Sequence, residues 1–295
     1  MLKCPKCGSY ENVKNGTKQG LQQHLCKQCK HQWFQEPVEE RGLPRILVFD
    51  TETSPLIVPT WGLYKQNISH KHIIKDWFVI NWAAKWLFEE EIMTGVLTPS
   101  EAKESDDKRI IKKIWNIFDR ADMVIAHNGD RFDIAKLNSR FLKHDLKLPT
   151  LYKSIDTLKT ARQFRNTSNK LDYLCSMLDI ETKIETGGMA LWLDCMDGSK
   201  KALKKMDEYC QNDVLILEQL YLKLRPYMRK HPNLGLYMDS DYELCPNCGS
   251  DKLKWGYKHY ARVNIYECAR CQECGSFMRG RKNIIPKEKR NLLLT

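Results

Sequence analysis

The 295-residue sequence contains no apolar run approaching the roughly 20 residues needed to cross a bilayer, which argues against a membrane-spanning protein. Its first residues, Met1-Leu2-Lys3-Cys4, lack the apolar core of a secretory signal. A cytoplasmic, reducing setting is therefore expected, with free or metal-bound thiols rather than disulfides. There is no low-complexity segment or long repeat, and the modest glycine (15) and proline (11) counts are those of a folded chain. Cysteine is nearly absent from the middle: nine of the twelve lie in the first 29 residues or beyond position 244. This implies a small cysteine-bearing module at each end of a larger unit.

Acidic residues are outnumbered, 37 against 48 basic ones, giving a formal charge of +11. Residues 1–38 hold six cations and two carboxylates, residues 241–295 eleven and six, and the middle keeps only +2. Such a balance favours a polyanionic partner, nucleic acid above all. Four thiolates around one Zn²⁺ at each end would reduce this excess without abolishing it.

From about residue 44 to 224 apolar runs alternate with helical patterns, as in a mixed α/β domain. Strands are expected at 46–49, 78–86, 91–97 and 123–126, and helices at 106–120, 133–144, 170–178 and 200–224, with Gly187-Gly188 as a break between helices. Asp50-Thr51-Glu52 closes the first strand, and residues two apart on an extended chain share a face, so both carboxylates can reach one metal. Alone, the pair is better read as a strand followed by a polar turn. A second cluster, His127-Asn128-Gly129-Asp130-Arg131-Phe132-Asp133, stands where a strand meets a helix, a place where Asn128 or Asp130 would serve equally as a helix cap. On the last long helix Tyr209 and Asp213, four apart, share a face, as an unremarkable surface pair would.

Together the three clusters resemble the DEDD exonuclease superfamily, the RNase H-like fold of polymerase proofreading domains and DnaQ-type nucleases. Phe49-Asp50-Thr51-Glu52-Thr53 resembles its first motif, Asn128 with Phe132-Asp133 its second, and Tyr209-x-x-x-Asp213 its third. Glu208 stands where the His branch carries histidine, which marks the Tyr branch. The likeness covers about residues 44–228, including Ile155-Asp156-Thr157 and Ser168-Asn169-Lys170-Leu171. It implies an RNase H-like mixed sheet with flanking helices and a metal-dependent 3′→5′ exonuclease with Asp50, Glu52, Asp133, Tyr209 and Asp213 catalytic. It further implies that Thr51, Asn128 and Phe132 meet the substrate and that Tyr209 orients the attacking water. Asp50, Glu52, Asp133 and Asp213 would hold two Mg²⁺ or Mn²⁺ ions, a hard-oxygen set that suits either metal. The expected partners are single-stranded nucleic-acid 3′ ends, with replication or repair proteins beside them.

Cys4-x-x-Cys7 and Cys26-x-x-Cys29 have the paired-knuckle spacing of a four-thiolate zinc ribbon over residues 1–38, with His24 and His31 as surface residues. The segment resembles the zinc ribbon of insertion-sequence transposase proteins, which implies DNA contact and weighs for DNA over RNA. Lys14, Lys18, Lys27 and Lys30 near Trp33 and Phe34 could pair phosphate neutralisation with stacking, or the aromatics could form a small core. Residues 241–282 open a second ribbon with Cys245 and Cys248, completed by Cys271 and Cys274, with Cys268 as the alternative. The choice rests on Gly275 following Cys274 as Gly249 follows Cys248 and Gly8 follows Cys7. Each ribbon would hold one structural Zn²⁺. Cys175, Cys195 and Cys210 are expected in the core. Arg279, Arg281, Lys282, Lys287, Lys289 and Arg290 suggest a basic tail, centred on 283–295, that follows a phosphate backbone or is simply solvated. Two other readings stay open: a non-catalytic nucleic-acid-binding adaptor, and an RNase H-fold endonuclease or transposase-related nuclease.

Overall fold

The structure, a computed structural model, describes residues 4, 6, 7, 9, 11–18, 21–34, 43–180 and 187–289, without the side chains of 17, 18, 21, 22, 33 and 34. Gly8, Arg290 and the Lys18, Trp33 and Phe34 side chains lie outside the described residues. An N-terminal antiparallel sheet runs β1 (Asn12–Lys18), β2 (Leu21–Cys26), β3 (Gln32–Phe34) in that order.

The central region follows as β4 (Ile46–Thr53), β5 (Val79–Trp86), β6 (Ile92–Val96), α1 (Pro99–Glu104), α2 (Lys108–Phe118), β7 (Met123–Ala126), α3 (Asp133–Lys143), β8 (Lys153–Asp156), α4 (Thr157–Ala161), α5 (Leu171–Met177), α6 (Met189–Met196) and α7 (Lys200–Leu224). Its five strands lie in the order β6-β5-β4-β7-β8. β4 pairs antiparallel with β5, and β5 with β6, while β4–β7 and β7–β8 are parallel. That is the mixed α/β sheet with flanking helices the sequence leads one to expect. The short apolar runs make central strands because both faces are covered.

Alternation along β4 and β7 divides the core in two. Leu47, Phe49, Val124 and Ala126 pack with Ile110, Ile114 and Phe118 of α2 and Leu137 and Phe141 of α3. Ile46, Val48, Met123 and Ile125 pack with Leu171 and Leu174 of α5 and Val214, Leu217 and Tyr221 of α7. Cys175, Cys195 and Cys210 are all fully buried, as expected.

Two charged contacts fix helices to this sheet. Buried Lys85 on β5 pairs with Glu218 on α7, whose other oxygen accepts from Phe88 N at 2.8 Å. On the opposite side Asp107, fully buried, accepts from Arg140 Nη2 (2.5 Å) and Val79 N (2.9 Å), with His144 Nε2 2.6 Å away. Asp107 thereby ties the start of α2 to α3 and β5.

At the C-terminal end β9 (Leu253–Tyr260), β10 (Ile265–Cys271) and β11 (Phe277–Asn283) form an antiparallel sheet, with β10 in the middle. Arg279, Arg281 and Lys282 belong to β11 rather than to a free tail, and Ile284 N still donates to Ile265 O at 2.8 Å with Ile285 buried. Apolar residues among these basic ones carry the pairing further than charge alone suggested. Asn247 Nδ2, donating to Arg225 O at 3.0 Å, joins the first knuckle of this module to the end of α7.

Asp107→Ala strands the Arg140 charge and the Val79 amide in the core, so it should cost about 3–5 kcal/mol of unfolding free energy. Glu208→Gln, at an exposed i,i+4 pair with Lys204, should cost less than about 0.5 kcal/mol. Denaturant midpoints of the two variants measure this, and equal values would contradict the role given to Asp107.

Candidate active site and metal centres

Successive side chains of β4 point to opposite sides. Asp50 and Glu52 thus continue the Ile46, Val48 row toward α7, while Thr51 continues the Leu47, Phe49 row toward α3. Contacts agree with this division. Cys210 on α7 lies with its Sγ 3.5 Å from Asp50 O and 3.6 Å from Asp50 Oδ2. Thr51 donates its hydroxyl to Asp133 Oδ1 at 2.6 Å.

Oxygens of Asp50, Glu52 and Asp213 lie within 4.8 Å of one another. Asp213 reaches them from α7, and Tyr209, one turn earlier on the same face, is buried beside them with its ring edge-on to Trp192 at 6.4 Å. The pair is therefore not a surface pair. Burial, followed by the carboxylates of Asp213, Glu52 and Asp50, raises the phenol far above its usual range, so Tyr209 is held as the protonated hydroxyl.

Asp133 borders the same cavity but is not a member of the three-carboxylate group. It opens α3 on the other side of β4. Burial pushes its carboxyl up to about 6, opposed by hydrogen bonds from the Thr51 hydroxyl and from backbone amides. Its link to the other carboxylates passes through β4 itself, Thr51 being flanked by Asp50 and Glu52.

The cavity holds about 680 Å³ and is bordered by all five expected catalytic residues together with Thr51, Asn128 and Phe132. Phe132 is 40% exposed there and offers a ring. Asn128 takes a left-handed conformation (φ 68°), and its N–H donates to Asp156 Oδ1 at 2.9 Å. Asp156 also caps α4 through Leu158 N at 3.0 Å, so one carboxylate joins the β7–α3 loop to the β8–α4 junction. Neither Asn128 nor Asp130 caps α3; the residue at the cap is Phe132, and Asp130 instead pairs with Lys159 and Ser154.

Three residues of this wall carried no role in the sequence reading, although His127 and Lys170 lie inside the segments it quoted. His127 lies 2.9 Å from Thr157 Oγ1 through Nδ1 and 2.8 Å from Asn169 O through Nε2, clasping the two segments together. Arg162 and Lys170 place cations at the cavity margin. Lys170 belongs to the Ser168–Leu171 segment, and the sequence signal of Arg162 is its proximity to the segment around Asp156.

Each cysteine group is built alike. Cys4 faces Cys29 and Cys7 faces Cys26, and likewise Cys245 faces Cys274 and Cys248 faces Cys271, each with Sγ atoms 3.6 Å apart. A disulfide needs about 2.05 Å, whereas thiolates around Zn²⁺ at about 2.3 Å are separated by nearly 3.8 Å. Both groups therefore fit a tetrahedral four-thiolate zinc site. Gly249 and Gly275 both have φ of +76°, the conformation that lets each knuckle turn without strain. Cys268 lies apart, buried in β10 with its Sγ 3.8 Å from Tyr266 O. His24, expected at the surface, is 4% exposed because it sits on the middle strand of its sheet, two residues before Cys26. Neither His24 nor His31 belongs to the four-thiol group.

Residues 83–225 match the RNase_H superfamily. The chain carries an RNase H-like domain. The matched stretch takes in Asn128, Phe132, Asp133, Tyr209 and Asp213 and begins after Asp50 and Glu52, whose place beside Asp213 rests on the geometry above. A DNA polymerase III PolC-type of Ureaplasma parvum is 28% identical over 135 residues, 45% of this chain. Those residues span only 9% of the length of that relative. Fold, family and relative together support a nuclease family for the RNase H-like domain. No helix among the described residues is long and apolar enough to cross a membrane.

Zinc content provides a test of the ligand set. Cys274→Ser should lower bound zinc by one ion per chain and Cys268→Ser should leave it unchanged, measured by atomic emission on dialysed protein; the reverse pattern would place Cys268 at the metal.

Proposed function

We propose that the RNase H-like domain is a 3′→5′ exonuclease that removes nucleoside 5′-monophosphates from single-stranded nucleic acid, DNA in preference to RNA. One observation carries this reading: Asp50, Glu52 and Asp213 converge within 4.8 Å, with Tyr209 one helical turn from Asp213 and Asp133 across β4 in the same cavity. The donors are all carboxylate oxygens, a set that fits Mg²⁺ or Mn²⁺. Asp50, Glu52 and Asp213 would hold one ion, and Asp133 would complete the site for a second. When bound, the ions lower the pKa of water and neutralise charge developing on the phosphate oxygens.

The protein's own side chains supply position. Tyr209, kept protonated by burial and its carboxylate neighbours, suits orienting a water molecule and is unsuited to taking its proton. Thr51 holds Asp133 in place through its hydroxyl. Phe132 offers a stacking surface for a terminal base, Asn128 a polar contact, and Arg162 and Lys170 positive charge for the phosphates behind it. The preference for DNA is supported by the relative, which by name is a DNA polymerase, and by the likeness of the N-terminal cysteine segment to transposase ribbons. The relative's name also makes replication proteins the partners to test first.

Digestion of matched 5′-labelled DNA and RNA strands with Mg²⁺ should give a ladder shortened from the 3′ end, faster for DNA. A circular or 3′-blocked strand should persist. Asp50→Ala or Asp213→Ala should lower kcat/KM by more than about a hundredfold, since even partners behind metal ligands typically contribute 10–100-fold. Rapid cutting of the circle would replace this reading with an endonuclease, and full activity of Asp213→Ala would remove it. Two further variants separate roles. Tyr209→Phe should lower kcat about a hundredfold with KM nearly unchanged. Thr51→Val should lower activity about 10–100-fold and raise the Mg²⁺ concentration needed for half-maximal rate, while Thr51→Ser restores both. An unchanged Mg²⁺ requirement in Thr51→Val would contradict the link to Asp133.

A further inference from the structure

Register in the C-terminal sheet brings aromatic and basic residues onto a single face. Side chains directly opposite in an antiparallel pair share a face. Lys254, Arg270 and Phe277 form one such row across β9, β10 and β11, and Tyr257, Cys268 and Arg279 form the next. His259 and Tyr266 form a third across β9 and β10. Side-chain contacts agree: between rows Tyr257 meets Phe277 edge-on at 5.4 Å and Arg279 lies 4.1 Å over the Tyr266 ring, and within the third row His259 stacks on Tyr266 at 6.5 Å.

Gly256 makes this alignment possible. The register shifts between the Ala269–Trp255 and Cys268–Tyr257 pairs, leaving Gly256 as an extra residue with φ of +109°. A bulge of one residue returns Tyr257 to the side of Lys254, where a regular strand would send it to the other. Lys254, Tyr257, His259, Arg270, Phe277 and Arg279 are all exposed. Glu267, the one carboxylate of the three strands, is paired with Lys258 in a row between those two, on the reverse side.

We propose that this face is a docking surface for single-stranded nucleic acid, with Tyr257 and Phe277 stacking on bases and Lys254, Arg270 and Arg279 neutralising phosphates. The charge is complementary, and flat rings between cations suit a strand whose bases are unpaired. A duplex hides those base faces. The choice of occupant rests on the nucleic-acid substrate proposed above, but the surface is separate from the carboxylate cavity.

Binding of a fluorescein-labelled mixed-sequence DNA strand to the full chain, followed by anisotropy without added divalent cation, tests the face apart from hydrolysis. Tyr257→Ala with Phe277→Ala should weaken binding about tenfold or more, while Tyr257→Phe binds like the wild type. Arg270→Gln with Arg279→Gln should make the slope of log K against log salt shallower by about 1.4, because each phosphate contact on a single strand contributes about 0.7. The charge variants alter only exposed side chains, and unchanged zinc content in both pairs verifies the fold. Wild-type affinity and slope in both pairs would overturn the proposal, as would an equal loss on duplex DNA in the aromatic pair. Nuclease activity on a strand too short to reach the sheet should survive in all of them. Loss of hydrolysis in Asp213→Ala with binding intact keeps the two readings distinguishable.

Discussion

Mutual repulsion among carboxylates is the constraint around which the central region is organised. Two carboxylates about 5 Å apart repel by roughly 3 kcal/mol at an effective dielectric near 20, and Asp50, Glu52 and Asp213 make three such pairs within 4.8 Å. The backbone brings the three together. β4 is the central strand of a five-stranded sheet covered on both faces, and α7 is fastened across it by Val214, Leu217 and Tyr221 and by Lys85 with Glu218. On the proposed reading, a hard divalent cation held among the three would convert their repulsion into binding energy.

The same strand also positions Asp133. With its carboxyl raised to about 6 by burial, it depends on the Thr51 hydroxyl for the hydrogen bond that favours its charged form. One three-residue stretch, Asp50-Thr51-Glu52, thus serves both sides of the sheet. The outer two are the proposed ligands, and the middle one donates a hydrogen bond to the acid across the strand. Farther out, His127 and Asp156 brace the cavity wall by joining loops distant in sequence. None of these contacts is local.

Much of this was legible before the structure. Apolar runs and helical spacing located β4, β5, β7, α2, α3 and α7 to within a few residues, because those elements are long or fully buried and their periodicity is undiluted. The two-residue spacing of Asp50 and Glu52 correctly predicted a shared face. It could not reveal that Asp133 stands on the other side of β4, since that depends on which face α3 covers. β8 and α4 escaped notice because Lys153 and Ser154 are exposed and the strand shows no alternation. His24 was misplaced because a polar residue beside cysteine knuckles says nothing about which strand is central. In the C-terminal module the spacing of glycine after cysteine identified the knuckles, while the Gly256 bulge, which decides what each face presents, is a property of pairing between strands.

Anomalous X-ray diffraction from crystals grown with saturating Mn²⁺ bears most directly on the carboxylate group. A strong peak should lie between Asp50, Glu52 and Asp213, with a second toward Asp133. Full-occupancy crystals without manganese density at those oxygens, or with Glu52 turned out of the cavity, would contradict the claim that a shared cation is what this arrangement of acids is for.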